Sequence, residues 1–64
     1  MNTKEYNELV EKQADGLYRF ILKNIKDEAA AQDIVQDAFE KLWLSHEKIE
    51  APKSKSWIYT AAYH

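Results

Sequence analysis

Apolar residues recur at steps of three and four in three separate stretches of the chain. In the first, Tyr6, Leu9, Val10, Ala14, Leu17, Ile21 and Ile25 fall on one side of a helix, which predicts an amphipathic segment from about Thr3 to Ile25. Asn2 with Glu5 fits a capping box at its start, and Glu5, Glu8 and Glu11 load its N-terminal half, where the helix dipole favours acid nearest the start. Tyr18 and Phe20 flank the stripe and widen it, so this helix is expected to pack against more than one neighbour. Gly16 sits inside the pattern at a cost of about 1 kcal/mol relative to Ala, which calls for a close helix contact or a slight bend there.

The second stretch carries Ala31, Ile34, Val35, Ala38, Phe39, Leu42 and Trp43, and predicts a helix from Glu28 to about Ser45. Lys23 and Lys26 suit the end of the first helix, Asp27 is a good N-cap for the second, and Glu28 falls in its first turn. So short a turn makes the two helices antiparallel neighbours. A polar run, SHEKIEAPKSK, with the only Pro, Pro52, then reads as a loop. Ser54 is the expected N-cap of a third helix from about Lys55 to His64, with Trp57, Ile58, Ala61 and Ala62 able to face the core. The amphipathic pattern is still running at His64 with no C-cap, so the natural chain is expected to continue. The fold class is all-α: a small three-helix domain over residues 1–64, cut within its last helix.

With 64 residues the chain is at most one small domain, and a domain of about 60 residues buries only about 60% of the surface its unfolded chain exposes. It has no Cys, which excludes a disulfide or thiolate–metal staple and suits a reducing cytoplasm. No apolar run approaches the roughly 20 residues a bilayer span needs, and the start has no signal-peptide stretch, so a cytoplasmic protein without membrane contact is expected. The net charge of −2 argues against general nucleic-acid binding, but the charge is uneven. Residues 1–50 hold seven Lys or Arg against eleven Asp or Glu, a balance of −4, whereas residues 51–64 hold Lys53 and Lys55 and no acid. The two ends suit different partners, and two lysines in a short tail are otherwise an ordinary solvated surface.

Catalysis is not expected. No nucleophile stands beside a base, Gly16 is the only Gly and so no phosphate loop exists, and His46 and His64 lie in different segments without metal spacing. No catalytic residue, metal site or cofactor follows from the sequence. The polar side of the second helix is more informative. Asp33, Gln36, Asp37 and Glu40 stand at i, i+3, i+4 and i+7 and share one stripe. Like charges one turn apart repel by roughly 0.2 to 0.5 kcal/mol. Asp37 can pair with Lys41, but Asp33 and Gln36 have no evident partner in the helix. The stripe is either a solvated face helped by the helix N-terminus or an acidic docking surface for a basic partner helix.

QDIVQDAFEKLW, followed fourteen positions later by WIYTAAYH, resembles region 2 of bacterial sigma-70 family factors, and the spacing looks like the extracytoplasmic-function (ECF) group. The resemblance covers about residues 5–64. It implies a transcription initiation factor module that contacts the clamp helices of the RNA polymerase β′ subunit through Asp33, Gln36 and Asp37, with Glu40 on the same stripe. Ile34, Val35, Ala38, Phe39 and Leu42 would support that helix from the core. It also implies that the loop at about His46 to Lys55 holds a base flipped from the promoter −10 element, and that Trp57 and Tyr59 open a helix lying along the melted strand. An anti-sigma factor is a further partner the family implies. Two positions depart from the family pattern: Gln32 stands where an acid is common and His64 where Asn is usual.

The residue chemistry is compatible with that role. Lys53 and Lys55 can approach phosphates, Ser54 and Ser56 can donate hydrogen bonds to them, and a helix N-terminus is an anion site. Trp57, Tyr59 and Tyr63 can stack on bases, and His64 falls at a base-contacting position by the resemblance. Trp57 also has the spacing of a core residue beside Ile58 and Ala61. A different reading is a helical protein-interaction module without a nucleic-acid role, whose exposed aromatics mediate self-association; under either reading a chain cut inside its last helix leaves apolar surface that a dimer or swapped helix would cover.

Overall fold

The computed structural model describes residues 1–63. Among them lie three helices, α1 (Thr3–Ile25), α2 (Glu28–Ser45) and α3 (Ser54–Tyr63), with two 3-10 turns, His46–Lys48 and Ala51–Lys53, between the second and third. No strand occurs among the described residues. The all-α, three-helix expectation holds.

The start of α1 is the reciprocal box the sequence suggested. The Asn2 side chain accepts from the Glu5 N–H at 2.8 Å, and the Glu5 carboxylate accepts from the Asn2 N–H at 2.9 Å. Lys26 ends α1 in the left-handed region, φ 56°, its N–H donating to the Leu22 carbonyl at 2.7 Å. Asp27 then caps α2, its side chain accepting from the Ala30 N–H at 3.1 Å. This two-residue connection reverses the chain. Tyr6 of α1 therefore lies against Phe39 and Trp43 near the end of α2, its hydroxyl donating to the Phe39 carbonyl at 2.9 Å.

The third helix starts differently from expectation. Ser54 is not an accepting N-cap; it is the first residue of α3, 4% exposed, and its hydroxyl donates to the Ala51 carbonyl at 2.6 Å. The 3-10 turn just before it already delivers the chain in helical geometry, with Pro52 near its start, where a missing N–H costs little. Ile49, between the two 3-10 turns, is buried and ties the loop to the core. His64, the expected last residue of this helix, lies outside the described residues.

Leu17 and Ile21 from α1, Ala31, Ala38, Phe39 and Leu42 from α2, Ile49 from the loop, and Ile58 and Ala62 from α3 form the core. Leu17, Leu42 and Ile58 are fully buried and come one from each helix, so the core is the three-way seam. Trp57 packs against it without being fully buried. Gly16 explains itself at the α1–α3 contact: a Cβ there would stand 3.3 Å from the Tyr59 hydroxyl. Phe20, one turn on, meets the same Tyr59 ring at 5.3 Å between centroids. The flanking aromatic positions of α1 thus serve two neighbours, with Phe20 toward α3 and Tyr18 toward α2.

Candidate functional site

Burial of Ala31, Ala38 and Leu42 against the other two helices fixes which way α2 faces, and leaves Gln32, Asp33, Gln36, Asp37, Glu40 and Lys41 exposed on its far side. The four stripe residues therefore form one outward ridge, brought together as the spacing predicts. A shallow groove runs along each flank. Gln36 and Glu40 border one toward α1, with Val10, Val35 and Phe39 in its floor, and Asp37 and Lys41 border the other toward the ends of α1 and α3.

Charges on the ridge are only partly matched. Lys41 Nζ lies 3.0 Å from Asp37, the i,i+4 pair expected, and both side chains are well exposed, so the pair contributes a few tenths of a kcal/mol, roughly 0.3 to 0.5. Among the described residues neither Asp33 nor Glu40 has an ion-pair partner. An exposed carboxylate needs none in water. The consequence is an acidic surface available to a cationic partner at little cost in broken contacts.

Glu40 also acts inward. The Tyr6 phenol is raised above its ordinary pKa, first by burial and then by the Glu40 carboxylate. Tyr6 belongs to an aromatic column that the sequence reading did not assemble: its ring meets Trp43 edge-on at 5.0 Å, and Trp43 stacks on His46 at 4.2 Å with the planes 8° apart. His46 Nδ1 also bonds the Trp43 carbonyl. The signal lay in the antiparallel pairing, which brings the start of α1 and the end of α2 to the same end of the domain. The Met1 ammonium joins this end to the loop, donating to the His46 and Ile49 carbonyls at 3.0 and 2.9 Å.

The residues expected to meet nucleic acid are less uniform. Lys53, Lys55 and Ser56 are exposed on the turn and first positions of α3, and Lys53 lies 3.7 Å from Glu50 in a weak exposed pair. Ser45, Lys48, Ile49, Glu50, Lys53 and Trp57 surround an open recess of about 450 Å³. Ser54 does not join this surface, because it is buried with its hydroxyl engaged by Ala51. Tyr59 is turned to α1, its ring on Phe20 and its hydroxyl over Gly16, so its first role here is packing. Tyr63 is mostly exposed. His64 lies outside the described residues.

Among the described residues no group of three or more His, Cys, Asp or Glu is placed to hold a metal ion, and no helix is long and apolar enough to cross a membrane. Residues 9–64 match the family model of Sigma-70 region 2, nearly the whole chain. The chain belongs to the Sigma-70 region 2 family, and with that membership comes a general role in binding RNA polymerase core and melting promoter DNA. No curated protein and no solved structure matches it significantly.

Proposed function

We propose that this chain is the region 2 module of an ECF-type sigma factor, and that it docks on the clamp helices of the polymerase β′ subunit through the α2 ridge. The observation that carries the proposal is the ridge itself: Asp33, Gln36, Asp37 and Glu40 are all exposed on one side of α2, while the opposite side of the same helix is buried. Cationic side chains of a partner helix would relieve the like-charge repulsion along the ridge and make short charge-assisted bonds to both aspartates. On the same reading the recess at Lys53 and Trp57 faces promoter DNA. Lys53, Lys55 and Ser56 hold phosphates, Trp57 and Tyr63 offer rings to an unstacked base, and Tyr59 positions α3 for them.

The module works by binding and performs no bond chemistry of its own. Strand separation is favoured because the melted strand is held and the duplex is not. It acts in the cytoplasm with polymerase and DNA as partners, and an anti-sigma protein competing for the ridge would be its natural regulator. The test is binding of this chain to the isolated β′ clamp helices. Wild type binds, and the Asp33→Lys, Asp37→Lys double variant, its helicity intact, binds at least tenfold more weakly; equal binding overturns the proposal.

A further inference from the structure

Leu44 is 79% exposed, far more than any other large apolar side chain of the α2 helix, and Trp43 beside it is 40% exposed. A single exposed leucine is ordinary; its register is not. Residues 33, 37, 40 and 44 follow steps of four, three and four, so at about 100° per residue Leu44 lies only about 20° around the helix axis from Asp33 and from Asp37. Leu44 thus continues the line of the acidic ridge at its C-terminal end, one turn past Glu40 and about 16 Å beyond Asp33 at a rise of about 1.5 Å per residue.

The platform beside it is aromatic. The Trp43 ring is in contact with two others, Tyr6 at 5.0 Å and His46 stacked at 4.2 Å, and these contacts restrain it while it stays 40% exposed. The start of α3 comes close to this end of α2 but leaves Leu44 uncovered. Ala61, Ala62 and Tyr63 of α3 lie beside Ile34, Asp37 and Lys41, whereas Trp57 lies beside Ser45, so α3 runs antiparallel to α2 and its C-terminal end points away from Leu44.

We infer that Leu44, flanked by the edge of Trp43, is an apolar anchor that completes the polymerase-docking ridge. The inference rests on the docking role proposed above and adds the chemistry of the occupant. It is a cationic amphipathic helix of the polymerase core. Its basic side chains meet Asp33, Asp37 and Glu40, and one apolar side chain, about three turns from the residue that meets Asp33, covers Leu44. Charge chooses the partner and orients it; the desolvated apolar contact at the end of the ridge sets how long it stays.

The experiment measures the affinity of the full chain for core RNA polymerase with three variants, Leu44→Ala, Leu44→Lys and the Asp33→Lys, Asp37→Lys pair, each checked for unchanged helicity and melting. Leu44→Ala is expected to weaken binding about tenfold, chiefly through faster dissociation, and Leu44→Lys more, because a cation then faces a cationic helix. The charge-reversed pair is expected to lose binding mainly through slower association. If the charge-reversed pair fails to bind while both Leu44 variants bind within twofold of wild type, the anchor is refuted and the docking role stands. If all variants bind as wild type does, both fall. Sedimentation of the same proteins separates the remaining occupant: a concentration-dependent dimer lost in Leu44→Ala, with polymerase affinity unchanged, would assign the patch to a second copy of the chain and overturn the inference.

Discussion

Tyr6 does three things from one position: its hydroxyl closes on the Phe39 carbonyl, its ring supports Trp43, and its proton is held by burial and by Glu40. Since its folded pKa lies above the unfolded value, the stability linked to that proton is complete below the ordinary phenol range and is lost as pH rises through the folded value. In an alkaline titration followed by tyrosinate absorbance, the component missing from Tyr6→Phe should ionise above the ordinary range and move to lower pH in Glu40→Gln. No change in Glu40→Gln would remove Glu40 from the account of that proton. Gly16 poses the opposite case, a residue kept for lack of a side chain. An Ala there gains about 1 kcal/mol of helix propensity but presses its Cβ to 3.3 Å from the Tyr59 hydroxyl, the movable tip of a side chain. Gly16→Ala should therefore stabilise by less than about 1 kcal/mol, and the full gain should appear only in combination with Tyr59→Phe. Thermal melts of the two single variants and the double one check this, and a destabilised double variant would contradict it.

The elements were legible because their signals are local. Periodicity set the two long helices, and caps set their ends: the Asn2–Glu5 box and the Asp27 cap are sequence features that need no knowledge of the fold. Removing a cap leaves orphan N–H groups at a helix start, so Asp27→Ala should cost about 1 kcal/mol, or a fall of about 4–8 °C in melting temperature for a domain of this size. At the other side of the same turn, Lys26 occupies a left-handed conformation that a side chain resists by roughly 1–2 kcal/mol. Lys26→Gly should raise the melting temperature; a fall would mean that the lysine charge at the end of α1 outweighs the backbone strain. The loop was less legible. Its two 3-10 turns, the burial of Ile49 and the inward hydroxyl of Ser54 depend on what lies beneath them, and a polar sequence with one Pro carries no periodic signal of it. The same limit hid the column at Tyr6, Trp43 and His46, which forms across an antiparallel pair, and left Leu44 unremarked, since its exposure is a property of the packed helix. The acidic ridge was legible in full, because four exposed residues at helical spacing share a face whatever packs behind them.

As a whole the molecule is a short rod, 32 × 19 × 16 Å, whose long dimension is close to the length of α1. Three of the nine apolar residues buried among those described are alanines, so the seam is tight but carries little apolar area. A domain this small rarely has more than about 3–5 kcal/mol of net stability. Truncating a fully buried side chain costs roughly 2–5 kcal/mol, so Ile58→Ala is expected to leave the isolated chain largely unfolded by circular dichroism at room temperature. Binding restores what so small a core lacks, since a partner that holds only the folded form stabilises it by mass action. The ridge lies along α2 and the recess mainly on the loop and the start of α3, with Ser45 at the end of α2 on its rim; on the proposed reading the first would meet polymerase and the second DNA. The central claim, that the α2 ridge meets clamp-helix cations, is tested most directly by exchanging the charges. Asp37→Arg alone should weaken binding to core polymerase. A polymerase whose facing clamp-helix arginine is changed to Glu should bind wild type poorly and recover the Asp37→Arg chain. If no clamp-helix arginine gives that recovery while the single variant still folds, the ridge does not meet the polymerase in this way.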